Sequence, residues 1–199
     1  MKKVFLFLIV PIVLQSCSFP SYVFENQAQT TGVDFTKGKW LLNEIDAPAG
    51  VAKKLTDDAV ADFSELLGSR LNYVPNTRGL LLPQKKIGLN PDKNTLKKLQ
   101  QGTKQDYFIN ISASQLKNDL GSASLTPHKL NRGGENLTKV AIEIYDLNLL
   151  QVIYSQKVTA SSHRAEGGNE DVHFSKSSRD LVIGAYKRLI KDINKRSVR

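Results

Sequence analysis

The sequence is poor in side chains that do covalent or redox chemistry: 199 residues hold one cysteine, three histidines, one methionine and one tryptophan. One cysteine cannot close a disulfide within the chain or build a thiolate metal site, so the fold must rely on its core. No apolar run reaches the roughly 18 residues that span a bilayer as a helix. The longest, Val4–Leu14, has eleven. No Gly-x-Ser-x-Gly element occurs, and Gly133-Gly134 is not followed by Lys-Ser or Lys-Thr. The first absence speaks against a nucleophile elbow, the second against a phosphate-cradling loop. Acidic residues are also scarce, 19 against 28 Lys and Arg, giving a net charge of +9.

What is present begins with the N-terminus. Met1-Lys2-Lys3 is a short positive segment, and the apolar run after it would cover only about half of a ~30 Å hydrocarbon core at 1.5 Å rise per residue. That length and charge order predict a signal peptide rather than a membrane span or a core helix. The run ends in Leu14-Gln15-Ser16-Cys17, which resembles the bacterial lipobox: an apolar residue three before the cysteine and a small one immediately before it. Gln15 replaces the usual small or β-branched residue.

The resemblance implies that residues 1–16 are removed and that Cys17 is the lipid attachment site. Its thiolate takes a diacylglyceryl group, and its freed amine is acylated, commonly with palmitate. Two or three chains at about 0.8 kcal/mol per buried methylene anchor a protein durably, where one chain binds reversibly. Ser18 in place of aspartate implies the outer membrane. Ser18-Phe19-Pro20-Ser21 has no acidic cluster, which implies the periplasmic face.

Loss of the leader lowers the charge to +7. A basic surface in the envelope suits lipid headgroups, phosphates or carboxylates as well as bulk solvent; nucleic acid is not a partner of an exported chain. Residues 17–38 lack sustained periodicity and predict a flexible tether reaching about 25 Å. A single α+β domain is expected over residues 39–199, a size ample for a core.

Within it, Trp40–Ile45 predicts a strand, and Leu55, Ala59, Phe63 and Leu67 predict a helix capped by Thr56 with Asp57 and Asp58 in its first turn. Leu80–Leu82 predicts a short buried strand. Asn90-Pro91 predicts an N-cap and first helical position, with Leu96 and Leu99 inward and Gly102 ending the helix. Tyr107, Ile109 and Ile111 alternate as in a half-buried strand. Val140, Ile142 and Ile144 form another strand, joined through Asp146–Leu149 to a partner over Val152–Val158.

A last helix opens with Ser177 and Asp180 as a capping box. It buries Leu181, Val182, Ala185, Leu189, Ile190 and Ile193, and it carries Lys187, Arg188, Lys191, Lys195 and Arg196 in its C-terminal half, where cations complement the helix dipole. Polar loops are expected at 117–135 and 161–171. The order of elements predicts a mixed sheet of about five strands with about three helices packed largely on one face.

The strand Gln105–Ser112, followed after a loop by Val140–Asp146 and Val152–Ser155, resembles the envelope α/β domains of the TolB N-terminal, penicillin-binding-protein activator and CsgG type. Leu147-Asn148-Leu149 stands where those relatives carry Thr-Gly-Glu, and no pore-forming insertion is present. The resemblance implies an adaptor or assembly component rather than an enzyme. No catalytic or cofactor-binding residues are assigned.

His163, Glu166, Glu170, Asp171 and His173 share one loop but match no helical metal spacing, so no metal site is assigned. His128 sits in the other loop without a triad context. Asn136-Leu137-Thr138 spells a glycosylation triplet that a bacterial lipoprotein would not use. The expected function is a non-catalytic protein-binding or envelope-assembly module with an envelope protein partner; a carrier or sensor of a small amphiphile is the alternative, and a hydrolase comes last.

Overall fold

Apolar residues recur at every second position along three long segments of the chain, and those segments form the centre of the sheet. The computed structural model describes residues 19–25, 33–83, 87–118, 134–164 and 176–198. In order they form β1 (Ser21–Glu25), β2 (Trp40–Leu42), α1 (Ala49–Leu67), β3 (Leu71–Tyr73), α2 (Lys93–Thr103), β4 (Tyr107–Asn118), β5 (Gly134–Asp146), β6 (Gln151–Arg164) and α3 (Ser178–Arg196). One mixed six-stranded sheet runs β1-β6-β5-β4-β2-β3. The β4-β5-β6-β1 side is antiparallel, and β2 is parallel to both β3 and β4.

The even-numbered positions of β5, Val140, Ile142 and Ile144, join Ile109, Ile111 and Tyr154 beneath α1 and α3 in the main core. From α1 come Val51, Leu55, Ala59, Phe63 and Leu67, and from α3 the six predicted residues plus Tyr186. Trp40 stacks on Tyr107 with ring centroids 4.2 Å apart, and Phe35 meets both Trp40 and Phe63. Such aromatic pairs contribute about 1 kcal/mol beyond area burial. The two helices are tied by Tyr186, whose hydroxyl donates to Asp62 at 2.9 Å. Burial, with the carboxylate beside it, pushes this phenol's pKa up and keeps it a donor.

Two of the three helices among the described residues therefore share one face. The third, α2, lies on the other, where Leu96 and Leu99 pack with Leu41, Phe108, Tyr145 and Leu147. This second cover explains why β4 is buried on both faces over Phe108–Ile111, where alternation predicted a half-buried strand. Asn43 and Asn110 there bond each other and the carbonyl of Ile87, and Asn110 also reaches that of Gly88. Glu143 accepts from the Asn90 amide and the Tyr145 hydroxyl. These buried polar groups staple the 87–90 segment to the sheet.

Several boundaries differ from expectation. The first helix starts at Ala49 after Pro48, placing Asp57 and Asp58 mid-helix as i,i+4 partners of Lys53 and Lys54. Leu80–Leu82 is not a strand. Leu81 is exposed, while Leu80 and Leu82 rest on the α2 cluster; the edge strand is instead Leu71–Tyr73.

Asp92, not Asn90, caps α2, accepting from the Thr95 amide at 2.6 Å; Asn90 has a positive φ of 52°. Gly102 does not end that helix, which runs to Thr103 with Lys104 as the left-handed cap. A Cβ at Gly102 would lie 1.9 Å from the Leu81 carbonyl oxygen, so this glycine permits close backbone approach. Finally, Ser21–Glu25 is an edge strand paired with β6 from Ser21↔Ser161 to Glu25↔Lys157, and Val33 and Phe35 are buried in the core, although all lie in the predicted tether.

Candidate functional site: a basic groove beside the N-terminal strand

The residues that carried the family resemblance have structural work. Asp106 accepts from the Lys39 amide at 2.8 Å and from Asn148 at 3.2 Å, clamping the start of β2 to the β5–β6 turn. Asp146 accepts from the amides of Asn148 and Leu149 and shapes that turn.

Cys17, Glu166, Glu170, Asp171, His173 and His128 lie outside the described residues. So do most of the two predicted loops, whose bounds the strands redraw: β4 runs to Asn118, β5 begins at Gly134 and β6 reaches Arg164. His163 is exposed and stands 3.4 Å from Glu135 across the β5–β6 pair. Among the described residues, no three metal-ligating side chains cluster. Asn136 of the glycosylation triplet is buried and donates to the carbonyl of Lys176 at 3.0 Å.

The surface feature with most chemistry is an open groove of about 740 Å³ bounded by the N-terminal strand, α3 and one residue of α1. Pro20 and Tyr22 come from the β1 segment, Lys54 from α1, and Lys176, Arg179, Ile183, Gly184, Lys187 and Arg188 from α3 and its approach. The α3 residues follow from helical spacing. The buried stripe occupies one face, and Arg179, Ile183 and Lys187 stack at i, i+4, i+8 along its flank, with Ile183 partly buried against the core.

Tyr22 is seated by the β1–β6 ladder, and its side chain lies against Gly184. The Arg188 guanidinium lies 3.4 Å from the Tyr22 ring centroid and also donates to the Gly184 carbonyl at 3.3 Å. Stacking of this kind fixes the cation without neutralising it.

Among the described residues that line it, five are basic and one, Asp180, is acidic. Asp180 is engaged with Ser177: the Ser177 hydroxyl donates to its carboxylate at 2.7 Å and accepts from its amide at 3.1 Å, completing the predicted capping box. Lys54 is paired with Asp58. Arg179 and Lys187 are exposed and have no carboxylate partner among the described residues.

The predicted basic cluster of α3 thus divides. Lys187 and Arg188 enter the groove, whereas Arg196 pairs with Asp192 and, with Lys195, occupies the last turn. Arg179 and Gly184 do not stand out in the sequence, whereas Tyr22 does, as one of four aromatics with Phe19, Phe24 and Phe35, more than a pure spacer needs. The available signal was Gly184 itself, a glycine in the middle of a strong helical stripe, where it costs about 1 kcal/mol relative to alanine.

A smaller depression of about 250 Å³ lies between the start of α1, the end of β4 and the first turn of α3, lined by Pro48, Val51, Gln115, Asn118, Ser178 and Val182. It shares Ser177 and Arg179 with the basic groove, so the two features meet at the start of α3. The same end of the sheet holds the roots of both long loops, since Asn118 pairs with Asn136, Gly134 with Arg164, and Ser21 with Ser161. None of the described helices is long and apolar enough to cross a bilayer.

No family model and no curated protein sequence matches the chain. Among solved structures, it is similar to the PelC dodecamer from Paraburkholderia phytofirmans, with 11% identity, a TM-score of 0.42, and coverage of 91% of this chain and all of that one. It is also similar to the hypothetical protein CT253 from Chlamydia trachomatis, at 12% identity and a TM-score of 0.40, covering 80% of this chain and 95% of the other. Lipoprotein GNA1162 from Neisseria meningitidis is a third, at 10% identity and a TM-score of 0.38, covering 80% and 99%.

Proposed function

We propose that this chain is an outer-membrane lipoprotein, anchored through lipid on Cys17, whose domain acts as a non-catalytic protein-binding or envelope-assembly module against the periplasmic leaflet. The observation that carries the reading is the position of β1. Ser21 begins a strand built into the sheet, and only Ser18, Phe19 and Pro20 separate it from Cys17. Four Cα steps reach at most about 14 Å. A domain on so short a lead stays next to the bilayer that holds the cysteine, instead of ranging over the distance a twenty-residue coil would permit.

The roots of the two long loops lie at this same end of the sheet, beside Ser21. A partner engaged through those loops would therefore be met near the membrane. The test is photocrosslinking in intact cells from a reactive residue placed at exposed Lys117, comparing the native chain with Cys17→Ala. Capture of a defined envelope protein by the native form alone is the expected result. Equal capture by both forms would remove the role given to the anchor, and absence of any specific capture from Lys117 or, in a second placement, Lys176 would remove the module.

A further inference from the structure

We infer that the groove between β1 and α3 receives the phosphate of an anionic phospholipid headgroup in the bilayer on which the chain is anchored. The inference rests on the lipoprotein reading above and adds a ligand to it. Three features carry it. The groove begins at Pro20, three residues after Cys17, so its mouth lies within reach of the headgroup layer by chain length alone.

Its walls present Lys176, Arg179, Lys187 and Arg188, and among the described residues they carry one carboxylate, that of Asp180, which accepts from the Ser177 hydroxyl. Arg179 and Lys187 are left with no opposing charge among the described residues. Finally, Arg188 is held in place over Tyr22, so a rigid guanidinium is offered to an anion without first being ordered.

Around these charges the surface is suited to the boundary between headgroup and acyl chain. Phe19, next to Pro20, is 85% exposed, and Tyr22 and Ile183 line the groove. Cationic side chains with long apolar stems sit well at such a boundary, the stem against apolar surface and the charge among phosphates. A Lys or Arg that comes within a Debye length of about 8 Å of an anionic leaflet changes association roughly fivefold.

The chain, lipidated at Cys17 and purified in mild detergent, is placed in mixed micelles doped equally with phosphatidylglycerol and phosphatidylcholine, and retained lipid is counted by native mass spectrometry. Preferential retention of phosphatidylglycerol is expected. The double variant Arg179→Ser, Lys187→Ser should lower it about 25-fold, roughly fivefold per charge, with phosphatidylcholine unchanged. Both residues are exposed, and an unaltered thermal midpoint would show that the variant folds.

Equal retention of the two lipids, or a preference the double variant leaves intact, would overturn the proposal. So would displacement of phosphatidylglycerol by millimolar inorganic phosphate, which would make the site one for free phosphate, or a groove found occupied by an acidic protein segment. If the intact mass shows Cys17 unmodified, the anchor reading fails by itself, and the micelle comparison still decides the groove.

Discussion

Replacing Gly184 by alanine tests whether the N-terminal strand is seated as described. In an isolated helix the change is favourable by about 1 kcal/mol, because alanine loses less backbone entropy. Here the added Cβ would lie 2.2 Å from the Tyr22 hydroxyl oxygen, 2.8 Å from its Cζ and 3.0 Å from its Cε1. Tyr22 cannot swing away freely, since its backbone is in the β1–β6 ladder and Arg188 covers its ring.

Overpacking of this kind costs about 1–3 kcal/mol. The two effects together leave Gly184→Ala destabilising by about 1 kcal/mol. In a Tyr22→Ala background the clash is gone, and the same change should stabilise by about 1 kcal/mol, a coupling of about 2 kcal/mol. Urea unfolding of the four forms in mild detergent, followed by the fluorescence of buried Trp40 and by far-UV circular dichroism, measures each step. A shift of about 2–4 °C per kcal/mol in thermal midpoint provides a second reading. If Gly184→Ala stabilises both backgrounds alike, Tyr22 does not occupy this seat, and the groove loses its floor.

Two further outcomes follow from the core and from the segment after β1. Phe63 is fully buried and meets the Phe35 ring edge-on at 6.4 Å, so Phe63→Ala should lose about 3–5 kcal/mol in urea unfolding; a loss below about 1 kcal/mol would contradict its place at the α1–sheet interface. Asp34 accepts from the hydroxyl and amide of Thr36 and pairs with Lys37, which lowers its pKa from 3.8 to about 2. Its contribution to stability is therefore complete above pH 3.8 and disappears as pH falls toward about 2. A carboxyl titration by NMR should show that low midpoint and a rise in Thr36→Val. A native midpoint at the ordinary value would refute the assignment.

Part of this molecule was legible in short-range pattern. The Ser177–Asp180 cap, the buried stripe from Leu181 to Ile193, the alternation along Val140–Ile144 and the turn at Asp146–Leu149 all appear where periodicity and capping chemistry put them. Each of these is decided by residues within about one helical turn or one strand of each other. Boundaries failed where a neighbour supplied the missing partner. Asp92 supplies the cap expected at Asn90, and the carbonyl of Leu81 accounts for Gly102, whose residue type predicts a helix stop.

The sequence by itself determined an α+β domain and an N-terminal stretch that resembles a lipoprotein signal, because charge order, apolar run length, period and caps are local properties of the chain. Only the tertiary structure decided that Ser21–Glu25 is a strand and not a tether, since five residues with no sustained pattern become ordered by the open edge of β6. It also decided the groove. Tyr22 and Gly184 are 162 positions apart, and nothing in either neighbourhood says that one will lie on the other. Pairing partners and close approaches depend on which surfaces are left uncovered once the core has formed, and that is a property of the whole fold rather than of any segment.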